Sequence, residues 1–140
     1  MRSAMFNDDC GLAPGQVVES AFAVVFREDP SPMNGSAQGV ELVIAEGGSF
    51  LLWNRTDWTL EVTRGDWPGL PAWAWPEESW EFVALPGPVG EGAGEILSVL
   101  PTRNCVGEVN GVLLEFPRFR WELTSGDSLS WAVTDKKPER

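Results

Sequence analysis

The chain has 140 residues, of which 43% are hydrophobic and 22% charged, a composition typical of a single globular domain with its own core. Its formal net charge is −11, from 21 acidic and 10 basic side chains. This charge opposes binding to DNA, RNA or anionic membranes, which require cationic side chains, and it favours a basic protein as partner. We therefore expect no nucleic-acid partner and no membrane partner.

The sequence predicts a cytoplasmic protein. No segment approaches the roughly 18 consecutive apolar residues of a membrane span, and Asp8 and Asp9 lie where a secretion signal would be apolar. Cys10 and Cys105 do not form a disulfide framework, so we expect both thiols to be free. Eight arginines against two lysines suggest a bacterial genome of high GC content.

The first half of the chain alternates between apolar and polar residues with a period of two, which predicts β-strands. A first strand is expected at about 16–27, followed by a polar loop at 28–39. Its expected apolar face comprises Val18, Phe22, Val24 and Phe26. Three closely spaced strands follow, at 40–44, 49–54 and 58–63.

The segment 66–79 is predicted to be a loop, because it contains three prolines and has neither a helical nor a strand period. Strands are expected again at 79–85 and at 95–100, where Pro101 should end the second of them. Asn110-Gly111 stands between two apolar runs and predicts a hairpin turn.

Two further strands, at 118–123 and 128–134, complete a pattern of about nine strands with hairpin-like connections. We therefore predict an all-β fold, an antiparallel β-sandwich or partly open barrel with little or no helix. Residues 1–135 should form one domain, and 136–140 a short, charged and disordered tail.

The tryptophans fall into three groups. Strand periodicity predicts that Trp58, Trp121 and Trp131 are core residues, because a large aromatic side chain buries much apolar area. We expect Trp53 and Trp80 to be partly in the core. The loop residues Trp67, Trp73 and Trp75 have two possible roles, either as a lid on one end of the sandwich or as exposed anchors for a partner.

Several kinds of chemistry lack their usual residues. The chain has no histidine and no tyrosine, and its two cysteines do not form a CxxC pair. We therefore expect no metal site, no cofactor and no enzymatic activity. The Gly90–Gly94 segment resembles a phosphate-binding loop only superficially, because Glu91 would repel a phosphate.

The preferred hypothesis is an acidic protein-binding domain, an inhibitor or immunity-type protein that neutralises a basic partner such as a toxin. Between Gly65 and Thr102 there is no lysine or arginine, which makes this stretch the expected binding surface. The expected partner-binding residues are Asp66, Trp67, Trp73, Trp75, Glu77, Glu78 and Glu81.

Three alternatives remain open. Apolar segments 49–54 and 112–116 could pair with another copy in a homo-oligomer of phage or virion type. Exposed tryptophans could belong to a carbohydrate-binding module. Glu77, Glu78 and Glu81 could in principle supply the acid and base of a glycoside hydrolase, although adjacent acids in a proline-rich loop are more often a solvated turn.

Overall fold

The all-β prediction is confirmed by a computed structural model that describes residues 12–27, 36–45, 47–55, 57–71 and 73–136. Within these residues, nine strands have five or more residues, and two have only two residues each. The strands are β1 (Val17–Phe26), β2 (Ser36–Ala37), β3 (Gly39–Ile44), β4 (Ser49–Asn54), β5 (Leu60–Arg64), β6 (Trp80–Ala84), β7 (Gly94–Glu95), β8 (Ser98–Arg103), β9 (Val109–Glu115), β10 (Phe119–Thr124) and β11 (Leu129–Asp135). Single 3-10 turns occur at Glu77–Ser79 and Gly87–Val89.

The strands form two antiparallel sheets. In the first sheet the order is β5-β4-β3-β1-β6, and β7 pairs with the start of β1. In the second sheet the order is β2-β11-β10-β9-β8. One cluster of buried side chains takes members from both sheets, with Leu42 and Phe50 from the first and Leu114 and Trp121 from the second. The two sheets thus enclose a common core, as the sandwich prediction requires.

The two faces of β1 differ from the sequence prediction. The register against β3 shifts between Val18 and Ser20, which marks a bulge. An extra residue moves every later side chain to the opposite face. Val18 therefore points into the core, and Ala21, Ala23 and Val25 follow it there. The expected common face of Val18 with Phe22, Val24 and Phe26 is wrong, because the last three lie on the outer face of the first sheet.

The Asn110-Gly111 hairpin prediction is also wrong. Both residues lie inside β9, and the turn between β8 and β9 is at Asn104–Gly107, where the Gly107 N–H donates to the Asn104 carbonyl over 3.0 Å. Gly107 has a φ of +87°, which the turn requires. Gly111 serves a different purpose, because a Cβ there would lie 2.4 Å from the carbonyl oxygen of Leu123.

Two predictions about strand ends and edges also fail. Pro101 lies within β8 and does not end it, because β8 is an edge strand on which a missing N–H leaves no neighbour unpaired. The segments 49–54 and 112–116 are not free edges, since β4 lies between β3 and β5 and β9 between β8 and β10. Self-pairing through these two segments would require the sheets to open.

Trp58 is not a core residue. It lies in the turn between β4 and β5, has a φ of +66° and is 57% exposed. The sequence pattern places Trp58 on the same face as Leu60 and Val62. However, β5 starts only at Leu60, so Trp58 precedes the strand and does not share that face. Trp121 is fully buried as predicted, and the partly buried Trp131 packs against it with ring centroids 6.4 Å apart.

The predicted charged tail lies mostly outside the described residues. Lys136, its first residue, donates its backbone N–H to the Arg118 carbonyl and forms an ion pair with Glu115 over 2.7 Å. The same Glu115 lies 3.9 Å from Arg120. Cys105 is exposed and its thiol is free, whereas Cys10 lies outside the described residues.

Candidate functional site

The tryptophan-rich loop, residues 66–79, is folded onto the outer face of the first sheet. The Trp67 indole stacks on the Phe22 ring, with centroids 4.2 Å apart and an interplanar angle of 17°. Trp73 packs between two further indoles, with centroids 5.6 Å from Trp53 and 5.4 Å from Trp80. The loop thus adds a third layer, which covers the face of a sheet instead of the end of the sandwich.

Short turns give the loop its shape. The Gly69 N–H donates to the Asp66 carbonyl over 2.6 Å, and the Ala74 N–H donates to the Pro71 carbonyl over 2.9 Å. Ala74 is buried. A Cβ at Gly39, in β3, would lie 3.2 Å from both the Leu52 carbonyl oxygen and Trp53 Cβ, and at an ordinary contact distance of 3.4 Å from Trp73 Cζ2. Glycine at the start of β3 therefore relieves crowding chiefly against β4.

Glu41 is buried beneath this loop, with only 1% of its surface exposed. The Ser49 hydroxyl donates a hydrogen bond to Glu41 Oε2, and the Trp67 N–H donates to Ser49 Oγ over 3.3 Å. The other oxygen, Oε1, is buried without a hydrogen-bond partner among the described residues. Burial raises the pKa of the Glu41 carboxyl, the hydrogen bonds from Ser49 and Trp67 oppose that rise, and the nearby charge of Asp66 adds to it.

A cavity of about 240 Å³ opens beside Glu41, between the loop and strands β4 and β5. It is lined by Glu41, Leu51, Trp53, Glu61, Thr63, Arg64, Gly65, Asp66, Pro71 and Trp73. Three of these residues are carboxylic acids. Arg64 lines the cavity as well, but its guanidinium carbon lies 4.8 Å from the centre of the Phe50 ring, which belongs to the core on the other face of the sheet.

The structure brings some of the predicted partner-binding residues together at this cavity and places others elsewhere. Asp66 and Trp73 line the cavity, and Trp67 packs against the sheet next to it. Trp75 is the most exposed tryptophan among the described residues, at 76%, and the exposed Glu77 and Glu78 follow it closely.

Glu81 differs from the other predicted acids because it is paired within the chain. Arg27 Nη1 donates to Glu81 Oε1 over 2.9 Å, and Arg27 Nε donates to the Glu78 carbonyl over 2.6 Å. Both side chains of this ion pair remain partly exposed. Arg27, which follows β1, therefore holds the end of the loop through the Glu78 carbonyl, and Glu81 offers less free charge to a partner.

Sequence reasoning predicted Asp66 and Trp73 among the residues that line the cavity and missed its other two acids, Glu41 and Glu61. Periodicity places both on the polar side of a strand, and a polar side normally faces water. One signal was present for Glu41, because its strand reads Gly-Val-Glu-Leu-Val-Ile and a single acid in so apolar a run indicates a special environment. No such signal marks Glu61, whose strand has the usual alternation.

The described residues contain no group of three or more metal-binding side chains that could hold an ion, and no helix among them is long and apolar enough to cross a membrane. Comparisons of the chain with protein-family models, with curated proteins and with solved structures found no match. Function is therefore inferred from the chemistry of this face. It carries the exposed Trp75, exposed acids and a cavity lined by three carboxyl groups, of which Glu61 forms an ion pair with Arg55 over 3.3 Å.

Proposed function

We propose that the protein is a non-enzymatic binding domain of inhibitor or immunity type, which docks onto a basic protein partner and neutralises it. The binding surface is the outer side of the tryptophan-rich loop, with Trp75 as its aromatic anchor. The single observation that supports this proposal most strongly is the 76% exposure of Trp75. Tryptophans are enriched among the residues that contribute most to protein interfaces.

The surroundings of Trp75 support a basic partner. Glu77 and Glu78 are exposed within three positions of it, and Asp66 is exposed at the other end of the loop. The whole chain carries a net charge of −11. Complementary charge of this kind increases the rate of association and excludes partners of the wrong sign.

The packing of the loop also supports binding. Trp67 and Trp73 are held against the sheet by Phe22, Trp53 and Trp80, so that Trp75 projects from a supported segment. An anchor that is already positioned loses less conformational entropy on binding than one on an unsupported loop. Trp73 therefore supports the surface from below, and the anchoring role belongs to Trp75.

The test is affinity capture from a lysate of the native host at low and at high salt, with mass spectrometry to identify what is retained. Wild type is compared with Trp75→Ala and Glu78→Lys. Trp58→Ala and Glu122→Lys are the matched controls, because they alter an exposed tryptophan and an exposed acid outside the loop.

We expect one basic protein, retained by wild type and by both controls, lost from both loop variants and weakened by salt. Retention that is independent of salt and equal for all five proteins would reject the proposed surface. Capture of this chain alone would instead favour self-assembly, for which β5, β6, β8 and the part of β11 that β2 does not cover offer sheet edges.

A further inference from the structure

The cavity beside Glu41 has the features of a site for one cationic group. Three carboxyl groups line it, from Glu41, Glu61 and Asp66. Glu61 already forms an ion pair with Arg55 over 3.3 Å, so Glu41 and Asp66 are the carboxyls that the ligand would meet. Glu41 Oε1 is a buried acceptor that lacks a hydrogen-bond donor among the described residues. A buried polar atom without a hydrogen-bond partner costs free energy. A ligand that donates a hydrogen bond to it removes this cost, which favours binding.

The walls favour a planar cation over a compact one. Trp53 and Trp73 line the cavity, with ring centroids 5.6 Å apart. A guanidinium is more weakly hydrated than an ammonium, packs on aromatic rings and donates in a fork that matches a carboxylate. At about 240 Å³ the cavity is smaller than the sites that hold drug-sized ligands, and its size suits a single side chain.

We propose that this cavity receives the guanidinium group of an arginine side chain from the basic partner, with Glu41 as the carboxyl that it meets at the bottom. This inference rests on the proposed function, because the basic partner is what supplies the arginine. A second buried group without a hydrogen-bond partner favours a peptide over a free small cation. Trp73 Nε1 is a buried donor that lacks an acceptor among the described residues. A guanidinium carries no acceptor, so a carbonyl of the chain that bears the arginine is the matching group.

Arg64 does not compete for the site. Although it lines the cavity, its guanidinium packs over Phe50 on the core side of the sheet. Gly65 sets the depth of the site, because a Cβ at this position would overlap Glu41 Oε2 and would also meet Ser49 Oγ. The absence of a side chain at residue 65 thus lets the carboxyl lie directly against the backbone beneath the cavity.

The experiment is a titration followed through the indole N–H signals of the ¹⁵N-labelled full chain, with the Trp73 signal assigned from Trp73→Phe. The probes are acetyl-Gly-Arg-Gly-amide, the same peptide with neutral citrulline in place of arginine, and ethylguanidinium. The proteins are wild type, Glu41→Gln, Asp66→Asn and the control Glu122→Gln, whose residue is exposed on the outer face of the second sheet.

We expect saturable shifts of the Trp73 signal with the arginine peptide, about tenfold weaker binding for Glu41→Gln, and no change for Glu122→Gln. Asp66→Asn should also weaken binding, and this second variant keeps the inference testable if Glu41→Gln folds poorly. No saturable shift, or equal binding of the citrulline peptide, would overturn the inference. If ethylguanidinium bound as tightly as the peptide, the peptide backbone would contribute nothing to binding. That result would overturn the proposal that the guanidinium belongs to a side chain of the partner.

The titration tests the arginine site and the capture experiment tests the proposed function, so failure of one is distinguishable from failure of the other. A basic protein that is captured through Trp75 and Glu78, while the peptide leaves the Trp73 signal unchanged, rejects the arginine site and keeps the proposed function. An arginine peptide that binds as expected, with no basic protein captured, rejects the proposed function and leaves the cavity as a site for arginine in another setting.

Discussion

The Trp67 indole lies on the Phe22 ring at a centroid distance of 4.2 Å, and this contact joins the tryptophan-rich loop to the outer face of the first sheet. Phe82 completes the contact from β6, with its centroid 4.9 Å from that of Trp67. The contact exists because the bulge in β1 turns Phe22 away from the core. A loop whose described residues contain one regular element, the 3-10 turn at Glu77–Ser79, is thereby held by aromatic packing.

Trp67→Ala should lower the free energy of unfolding by about 2–4 kcal/mol, because it removes a partly buried aromatic side chain and leaves a void against Phe22. Trp75→Ala should change it by less than about 0.5 kcal/mol, since that side chain is mostly exposed. Urea denaturation of both variants measures the difference. Equal losses would show that the loop does not depend on the Trp67 contact.

Glu41 should make stability depend on pH. Its pKa in the folded chain is raised above the ordinary value of 4.5, chiefly by burial, so the folded chain holds this proton more tightly than the unfolded chain does. A raised pKa of an acid contributes stability below the ordinary pKa, and that contribution is lost as pH rises through the folded-state pKa. Glu41→Gln removes the ionisation but keeps an oxygen that can accept from Ser49.

The variant Glu41→Gln should therefore gain stability over wild type as the pH is raised above about 4.5, with the difference shrinking again at lower pH. Urea denaturation at a series of pH values measures this difference. Glu122→Gln, an exposed acid on the second sheet, is the control and should show no such trend. A gap between Glu41→Gln and wild type that is constant with pH would rule out the buried ionisable carboxyl.

Fold class and most strands could be predicted from the sequence because alternation with a period of two is strong in β5, β10 and β11, and short apolar runs between turn residues mark β3 and β4. The bulge in β1 could not be predicted, since it depends on the pairing with β3 and leaves no mark in the residues themselves. The same holds for Pro101, whose tolerance depends on β8 being an edge strand, a fact of topology.

The candidate site could be predicted only in part. Its loop is visible in the sequence through prolines, tryptophans and the absence of basic residues, so Asp66 and Trp73 were identified. Which tryptophan faces solvent could not be predicted, because Trp73 and Trp75 differ only in how the loop folds onto β3 and β4. Glu41 was missed because its burial comes from the third layer and not from its own strand.

The two glycines near the β8–β9 turn should respond differently to the same side chain. Gly107→Asn should cost less than about 1 kcal/mol, because asparagine tolerates a positive φ and, beyond the two adjacent residues, no described atom lies within 4 Å of a Cβ there. Gly111→Asn should cost more than about 2 kcal/mol, because the new Cβ meets Leu123 and Thr102 from neighbouring strands. Thermal unfolding of the two variants measures the difference. A larger loss for Gly107→Asn than for Gly111→Asn would instead support a turn at Asn110-Gly111.

Trp58 provides the sharpest contrast between sequence pattern and structure. A core tryptophan replaced by a small residue costs about 3–5 kcal/mol. Trp58 is instead 57% exposed with a φ of +66°, a conformation that costs an ordinary residue roughly 1–2 kcal/mol and that asparagine and glycine adopt more readily.

Trp58→Asn and Trp58→Gly should therefore be at least as stable as wild type and more stable than Trp58→Ala, which keeps a Cβ in the same strained conformation. The difference from Trp58→Ala should be about 0.5–1 kcal/mol, and chemical denaturation of the three variants measures it. Because all three variants lose the same indole, the order among them reports the backbone conformation alone. A loss of several kcal/mol in all three would instead return Trp58 to the core.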